Sequence, residues 1–488
     1  MIVSIKNFGP VREFSLDLNK DFHLLVGKNN IGKSYAITAV YLIVKALHEV
    51  NEDTNSFGIR PIFFAPEFNV SEDIIKKISK EAVKLEHGRE KDITKYIKEM
   101  FISNFQGIFE KRLLNSFTNT FNSLDNLRSR FSDEKPTFSL FVGNMGVIFE
   151  VLDNAIIVKD VELNKKYFVK KSKQNRTPLE KTDKNIVYFC EEKEDEFFNL
   201  VAFDIAYRKI FQFINTFNRV IKTVHYLPAS RSGLYQALSA FGQIIAELSK
   251  NRSFLSKKVE LPGISEPVSD YFIKLSDIKV KKKSFENKNI NAIAKDIEQK
   301  ILKGKVEFNS QTKQLMFHPN DTDLKLELSS TSSMVSELAP IVSYLRYVLT
   351  ENSYQSTMIP HFRPRRTKRE TESASHLIMI EEPEAHLHPE VQLQLTEIFS
   401  KLAKADVKLI ITSHSNYIFN KVNNLIMSKE LDVDKVYSGV FKSTVKGSVV
   451  NSLEIDELGV EDDNFSEPTS HLFEEKMKII DELNSEDR

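Results

Sequence analysis

The residues His23-Leu24-Leu25-Val26 run directly into Gly27-Lys28-Asn29-Asn30-Ile31-Gly32-Lys33-Ser34. No other stretch restricts the fold of this chain so strongly. A compact apolar strand has to end in a tight loop, and a helix has to begin inside that loop. Ile31 to Val50 carries helical spacing, with Ala36, Val40, Ile43 and Leu47 on one face. The two glycines let successive backbone N–H groups face one anion, and the helix N-terminus adds partial positive charge there. A Gly-Lys-rich surface turn is the alternative, but with 15 glycines in 488 residues a chance match falls below roughly one in a hundred.

The loop fits a nucleotide phosphate-binding pattern at every required position. Lys33 would reach the β- and γ-phosphates of ATP and Ser34 would ligand Mg²⁺. Gly27, Asn29, Asn30, Gly32, Lys33, Ser34 and Tyr35 are the nucleotide-binding candidates. A second element, Leu377-Ile378-Met379-Ile380-Glu381-Glu382-Pro383, is an apolar strand that ends in paired carboxylates. Glu381 is assigned to the metal and Glu382 to general-base activation of water; a solvated glutamate pair after a buried strand is the competing reading. In a third, Leu409 to Thr412 delivers Ser413-His414 to the edge where open parallel sheets bind ligands. His414 is read as a γ-phosphate contact, against the alternative of a helix cap. His386 and His388 form a His-x-His pair, for which a structural or nucleotide-adjacent loop role is preferred over zinc, since no further ligands are placed.

These elements are widely separated, which makes organisation the next question. At 488 residues the chain exceeds the ~250–300 at which one core stops growing. Ile2 to Phe8 and Arg12 to Leu18 read as a hairpin around Gly9-Pro10. From about 71 to 304 lysine, glutamate and phenylalanine dominate. Ile74 to Phe117 and Asn199 to Lys222 read as helices, Thr137 to Val169 and Thr223 to Leu227 as strands. Beyond residue 305 strands and helices alternate: strand-like Lys305 to Phe317 and Leu324 to Leu328, a helix over Ser332 to Leu349, a polar linker over Tyr354 to Ser375, then strand, helix near Pro389 to Leu402, strand and a helix to about Ile426. That alternation predicts a parallel sheet with helices on its faces. Glu454 to Arg488 is acidic. Lys+Arg and Asp+Glu are equal at 68 each, so net charge selects no partner. Cys190 is the only cysteine, which excludes a disulfide framework and suggests a reducing compartment. No apolar run reaches the ~18 residues needed to span a bilayer, and no leader-like segment precedes the first strand. A cytoplasmic location with no membrane partner is expected.

The three elements, in this order, resemble the ABC-type ATPase heads of RecF, SMC and OLD (overcoming lysogenization defect) proteins. The opening Ile2 to Ser34 is similar to the start of those proteins, and Glu381-Glu382-Pro383-Glu384-Ala385-His386-Leu387-His388-Pro389 with Thr412-Ser413-His414-Ser415 is similar to the OLD and RecF-like branch. The resemblance spans roughly 1–50 and 305–460. It implies an α/β fold: an ABC-type P-loop ATPase head with a mixed sheet and flanking helices, carried by 1–70 and 305–460. A large, mainly helical insertion over 71–304, with some strands near 137–169 and 223–233 that belong to the head, and an acidic tail over 461–488 complete that division. It also implies a signature segment, Leu328 to Leu338, whose Ser332, Ser333 and helix N-terminus would touch the γ-phosphate of a partner head. The usual glycines are missing, and a serine-rich N-cap satisfies the same residues. Leu227-Pro228-Ala229-Ser230-Arg231-Ser232-Gly233 is similar to a recurrent segment of that branch; Arg231 faces the nucleotide, couples the insertion to it, or sits in a surface turn.

The resemblance implies slow ATP hydrolysis at a composite site completed by a second copy of the chain, in a head-to-head dimer or higher oligomer. Full-length OLD proteins carry a Toprim nuclease, which needs a glutamate and an Asp-x-Asp pair on its own sheet; Glu461-Asp462-Asp463 has no such context, so an intrinsic nuclease is not expected. A separately encoded effector, nuclease or toxin, as in the Septu and PARIS anti-phage systems, is the leading expectation. RecF/SMC-like DNA maintenance is the alternative, with a self-contained OLD-like nuclease behind it. Two basic runs, Lys279-Lys281-Lys282-Lys283 and Arg363-Arg365-Arg366-Lys368-Arg369, are either solvated loops or contacts for non-specific DNA.

Overall fold

A strand buried on both faces is largely apolar, and Phe22–Gly27 (β3) is buried throughout, with His23 its one polar exception, because its alternate side chains feed two different cores. Leu25 packs into one, and Phe22, Leu24 and Val26 into the other. The computed structural model that shows this describes residues 1–56, 72–86, 88–171, 179–190, 201, 203–237, 263–278, 288–312, 314–349, 374–457, 459–460 and 470–480. Both basic runs (Lys279, Lys281, Lys282, Lys283 and Arg363, Arg365, Arg366, Lys368, Arg369), Glu461-Asp462-Asp463 and most of the acidic tail lie outside the described residues.

The strands before β3 are Ile2–Phe8 (β1) and Val11–Asp17 (β2), an antiparallel hairpin closed by Gly9-Pro10 as expected. Those after it are Glu90–Asp92 (β4), Thr137–Val142 (β5), Met145–Val151 (β6), Ile156–Leu163 (β7), Lys166–Lys171 (β8), Leu179–Lys181 (β9), Asn185–Cys190 (β10) and Ile221–Leu227 (β11). Gly304–Asn309 (β12), Gln314–Pro319 (β13), Leu326–Glu327 (β14), Ser375–Glu381 (β15), Val407–Ser413 (β16), Val436–Thr444 (β17) and Gly447–Ser452 (β18) follow. Eleven of them form one sheet in the order β11-β15-β16-β3-β17-β18-β2-β1-β5-β6-β7. From β11 to β17 every pairing is parallel; from β2 to β7 every pairing is antiparallel. The result is the mixed α/β sheet with flanking helices expected from the sequence.

The helices are Lys33–Ser56 (α1), Glu72–Val83 (α2), Thr94–Phe121 (α3), Phe211–Val220 (α4), Glu266–Ser276 (α5), Lys288–Asp296 (α6), Ser333–Ser343 (α7), Pro389–Lys404 (α8) and Asn416–Met427 (α9). One core joins α1 and α3 to the antiparallel half; the other joins α7, α8 and α9 to the opposite face of the parallel half. Helix α1 departs from its one-faced reading. Ile37, Ala39, Tyr41, Leu42, Val44 and Ala46 are buried together with the four residues of the apolar stripe. It passes under α3, α4, α5 and β11, so it is enclosed almost all round. Its one mid-helix ammonium, Lys45, is met there by Glu266 at 2.6 Å and Asp270 at 2.5 Å.

In the central third, β5, β6 and β7, within the strand-like stretch Thr137 to Val169, extend the main sheet. β4-β8-β10-β9 form a separate four-stranded sheet that the sequence pattern did not indicate. The helix read over Ser332 to Leu349 is α7 followed by a wider π-type turn, Tyr344–Val348.

Candidate functional site

Parallel pairing brings four strand ends to one edge. Gly27 closes β3, Glu381 closes β15 opposite Thr412 of β16, Ser413 lies opposite Val26, and Leu227 of β11 lies opposite Ile380. Each end releases its next residues into a loop at that edge, so the motifs converge although the chain separates them by hundreds of residues.

The loop after β3 is shaped by backbone that L side chains avoid. Gly27 has φ of +147° and Gly32 +100°, and Asn30 takes the left-handed region at 58°. A Cβ on Gly27 would stand 2.9 Å from the Phe441 carbonyl oxygen, because β17 runs alongside; one on Gly32 would stand 2.9 Å from Pro10 Cγ. Lys28, Asn29 and Asn30 are exposed at the rim. The Lys33 ammonium is buried and donates to the carbonyls of Gly27 at 2.9 Å and Lys28 at 2.8 Å. Burial lowers its pKa to about 8, against the opposing pull of Glu382 and Glu384. Tyr35 is turned away from the loop: its ring lies against Phe8 and Phe121, and its hydroxyl donates to the Asn126 carbonyl. Only its backbone amide, in the first turn of α1, remains suited to the anion.

Glu381 is buried at the end of β15. Desolvation raises its pKa, while the Ser34 and Tyr226 hydroxyls and the Ala229 amide, 3.3 Å from Oε2, favour the ionised form. Its Oε1 has no hydrogen-bond partner among the described residues. A buried carboxylate with one unpartnered oxygen and the neighbouring Ser34 hydroxyl are the hard oxygen donors that Mg²⁺ takes, so Ser34 and Glu381 fit that ion.

Glu382 takes φ of 40°, a left-handed conformation that costs energy for a non-glycine residue. Its amide donates to the Thr412 carbonyl at 3.0 Å, and its carboxylate lies 3.5 Å from His414 Nε2. His414 is the first cause of its lowered pKa, with Lys33 and Arg231 adding to the effect. Lys33, Glu382 and His414 thus form one electrostatic cluster. The sequence reading missed Glu384, which joins it: one carboxylate oxygen accepts from Ser413 Oγ at 3.0 Å and from the His414 amide at 2.5 Å, locking the turn after β15 onto the end of β16. A third acidic residue two positions past the pair was its signal.

Arg231 is fully buried and not in a surface turn. Its guanidinium donates to the carbonyls of Glu381 at 2.8 Å and Pro228 at 3.2 Å. It reaches no further than the backbone of the acidic strand end, and it faces Glu337 of α7 at 3.3 Å. Glu337 was also missed; a lone carboxylate amid Val335, Leu338, Ala339, Ile341 and Val342 signals a buried charge that needs a partner. Ser332 caps α7 by accepting from the Val335 amide, and both Ser332 and Ser333 are exposed. His388 caps α8, accepting from the Glu390 amide at 3.3 Å, and His386 holds a left-handed turn at φ 60°. Both histidines therefore shape the loop after β15.

Residues 1–419 match the AAA ATPase domain family. No curated protein is matched. Among solved structures, an SMC head bound to the C-winged helix domain of ScpA is similar at 10% identity and a TM-score of 0.35, covering 93% of this chain and 98% of that one. The SMC head domain from Thermotoga maritima is similar at 9% identity and a TM-score of 0.34, covering 93% and 98%. An SMC head with an extended coiled coil, bound to the C-terminal domain of ScpA and derived from Pyrococcus furiosus, gives 10% and 0.34, covering 99% and 98%. Among the described residues no helix is long and apolar enough to cross a membrane.

Proposed function

Since this chain belongs to the AAA ATPase domain family, we propose that it is an ABC-type ATPase head that hydrolyses ATP within a head-to-head pair and uses that pairing to control a partner effector in prokaryotic anti-phage defence. The observation that carries the reading is the division of polar groups. Lys33, Ser34, Glu381, Glu382 and His414 gather at one sheet edge, while the serine-rich N-terminus of α7 stands exposed and suited to a nucleotide held by a second copy. The defence assignment draws on the likeness of the Glu381 to Pro389 and Thr412 to Ser415 segments to the OLD branch.

In hydrolysis, loop amides and Lys33 hold the β- and γ-phosphates. Bound Mg²⁺, held by Ser34 and Glu381, would neutralise phosphate charge. Glu382 accepts a proton from the attacking water as its oxygen bonds to the γ-phosphorus and ADP departs. His414, 3.5 Å from that carboxylate, orients it and faces the γ-phosphate.

The test is sedimentation of the Glu382→Gln chain with and without ATP and Mg²⁺. Nucleotide-dependent doubling of mass, lost in a Ser332→Arg/Ser333→Arg double variant, supports the reading; a monomer at all nucleotide concentrations overturns it. Co-purification with a small nuclease or toxin encoded nearby supports effector control. Salt-dependent duplex binding by the isolated chain, with no such partner, would favour the RecF/SMC-like reading instead. Metal-dependent DNA cleavage by the pure chain would point to a self-contained nuclease.

A further inference from the structure

The contacts of Arg231 connect two parts of the site that otherwise touch different molecules. On one side its guanidinium reaches the backbone at the strained turn: the Glu381 carbonyl at 2.8 Å and the Glu382 carbonyl at 3.5 Å. On the other it faces Glu337 Oε2 at 3.3 Å. Glu337 Oε1 is held by the hydroxyl of Ser232 at 2.6 Å and its amide at 3.4 Å, and the Tyr271 hydroxyl donates to the Arg231 carbonyl. Both charged side chains are essentially excluded from water, at 0% and 1% exposure. A buried charge pair tolerates little change in separation, since loss of either partner strands the other. Glu337 lies one turn after Ser332 and Ser333, so a displacement of the α7 N-terminus is transmitted to a carboxylate that the guanidinium must follow.

We propose that the Arg231–Glu337 pair is a coupling element: it transmits engagement of the Ser332–Ser333 end of α7 to the backbone turn that aims Glu382. Arg231 and Glu337 are thus positioning residues. The proposal rests on the reading of Glu382 as the base. It goes beyond that reading by making hydrolysis in a head depend on the state of that head's own outward-facing helix.

The experiment compares Glu337→Gln, Arg231→Lys and their combination with Glu382→Gln in the full chain, measuring nucleotide Kd by a fluorescent ATP analogue, then kcat and KM. Expected is a kcat loss of at least tenfold in each single variant, with Kd and KM within threefold. The combined variant should be no worse than the poorer single variant. Turnover within twofold of wild type in Glu337→Gln, or Kd rising in step with kcat loss, overturns the coupling. Normal turnover in Glu382→Gln overturns the base assignment separately. Should Glu337→Gln not fold, Ser232→Ala loosens the same carboxylate without removing charge; unchanged kcat there also overturns the proposal.

Discussion

In its proposed role Lys33 would make ATP affinity depend on pH in a calculable way. In the free protein its ammonium is buried against two carbonyls and its pKa falls to about 8. In the proposed nucleotide complex it would face phosphate oxygens, which favour the charged form, so its pKa would rise on binding. Affinity is therefore complete below pH 8 and is lost as pH rises through that value. The dissociation constant carries the factor 1 + 10^(pH − 8), which grows about eightfold between pH 7.5 and 9.0, or about 1.3 kcal/mol. At pH 8 binding should take up about half a proton per nucleotide. Titration calorimetry in buffers of different ionisation enthalpy reads that proton directly, and fluorescence titration reads the affinity. Lys33→Arg, whose guanidinium does not titrate in this range, should show a flat profile whatever its absolute affinity. A wild-type Kd constant from pH 7.5 to 9.0, or an equal slope in Lys33→Arg, would refute the reasoning.

Glu382→Gln should lower kcat by about 10²–10⁴-fold while ATP binding persists; turnover assays and equilibrium binding on one preparation check both halves. Gly27→Ala places a Cβ against the Phe441 carbonyl at a φ of +147°, and should cost about 2–3 kcal/mol in denaturant unfolding; an unchanged midpoint counts against the loop geometry. His376 is buried, and burial lowers its pKa to about 4, Lys222 adding to the effect. Its contribution is complete above the unfolded value near 6.5 and is lost as pH falls toward 4. Acidification from pH 7 to 5 should thus cost about 2 kcal/mol through this residue, and His376→Asn should remove that share of the slope; identical slopes would exclude it.

The parts of the site governed by local pattern were legible in the sequence. A glycine-bounded loop between an apolar strand and a helix has one backbone solution, and two apolar strands ending in Glu381-Glu382 and Ser413-His414 belong at the ligand edge of a parallel sheet. What depends on distant neighbours was not legible. Arg231 had three open readings because its partners, the Glu381 carbonyl and Glu337, lie 150 and 106 positions away in the chain. Helix α1 was read as one-faced because nothing local announces that α3, α4, α5 and β11 surround it. The sheet of β4, β8, β9 and β10 is not legible because β4, β8 and β9 are short, lysine-bearing and largely exposed, which leaves the apolar β10 without a recognisable partner.

The placement of β3 between β16 and β17 has a consequence for biosynthesis. The strand bearing the phosphate loop leaves the ribosome early, but both its neighbours are made near the end. At 5–20 residues per second, roughly 20–80 s separate Gly27 from Val436. Throughout that interval β3 has two unpaired edges and an apolar sequence that aggregates readily, which makes the nascent chain a client for chaperones. Only when the last quarter of the chain has been translated can β3 be enclosed and Glu381, Glu382 and His414 reach the loop. Chains that stop short of β16 therefore lack the pairing that brings Glu381, Glu382 and His414 to the loop.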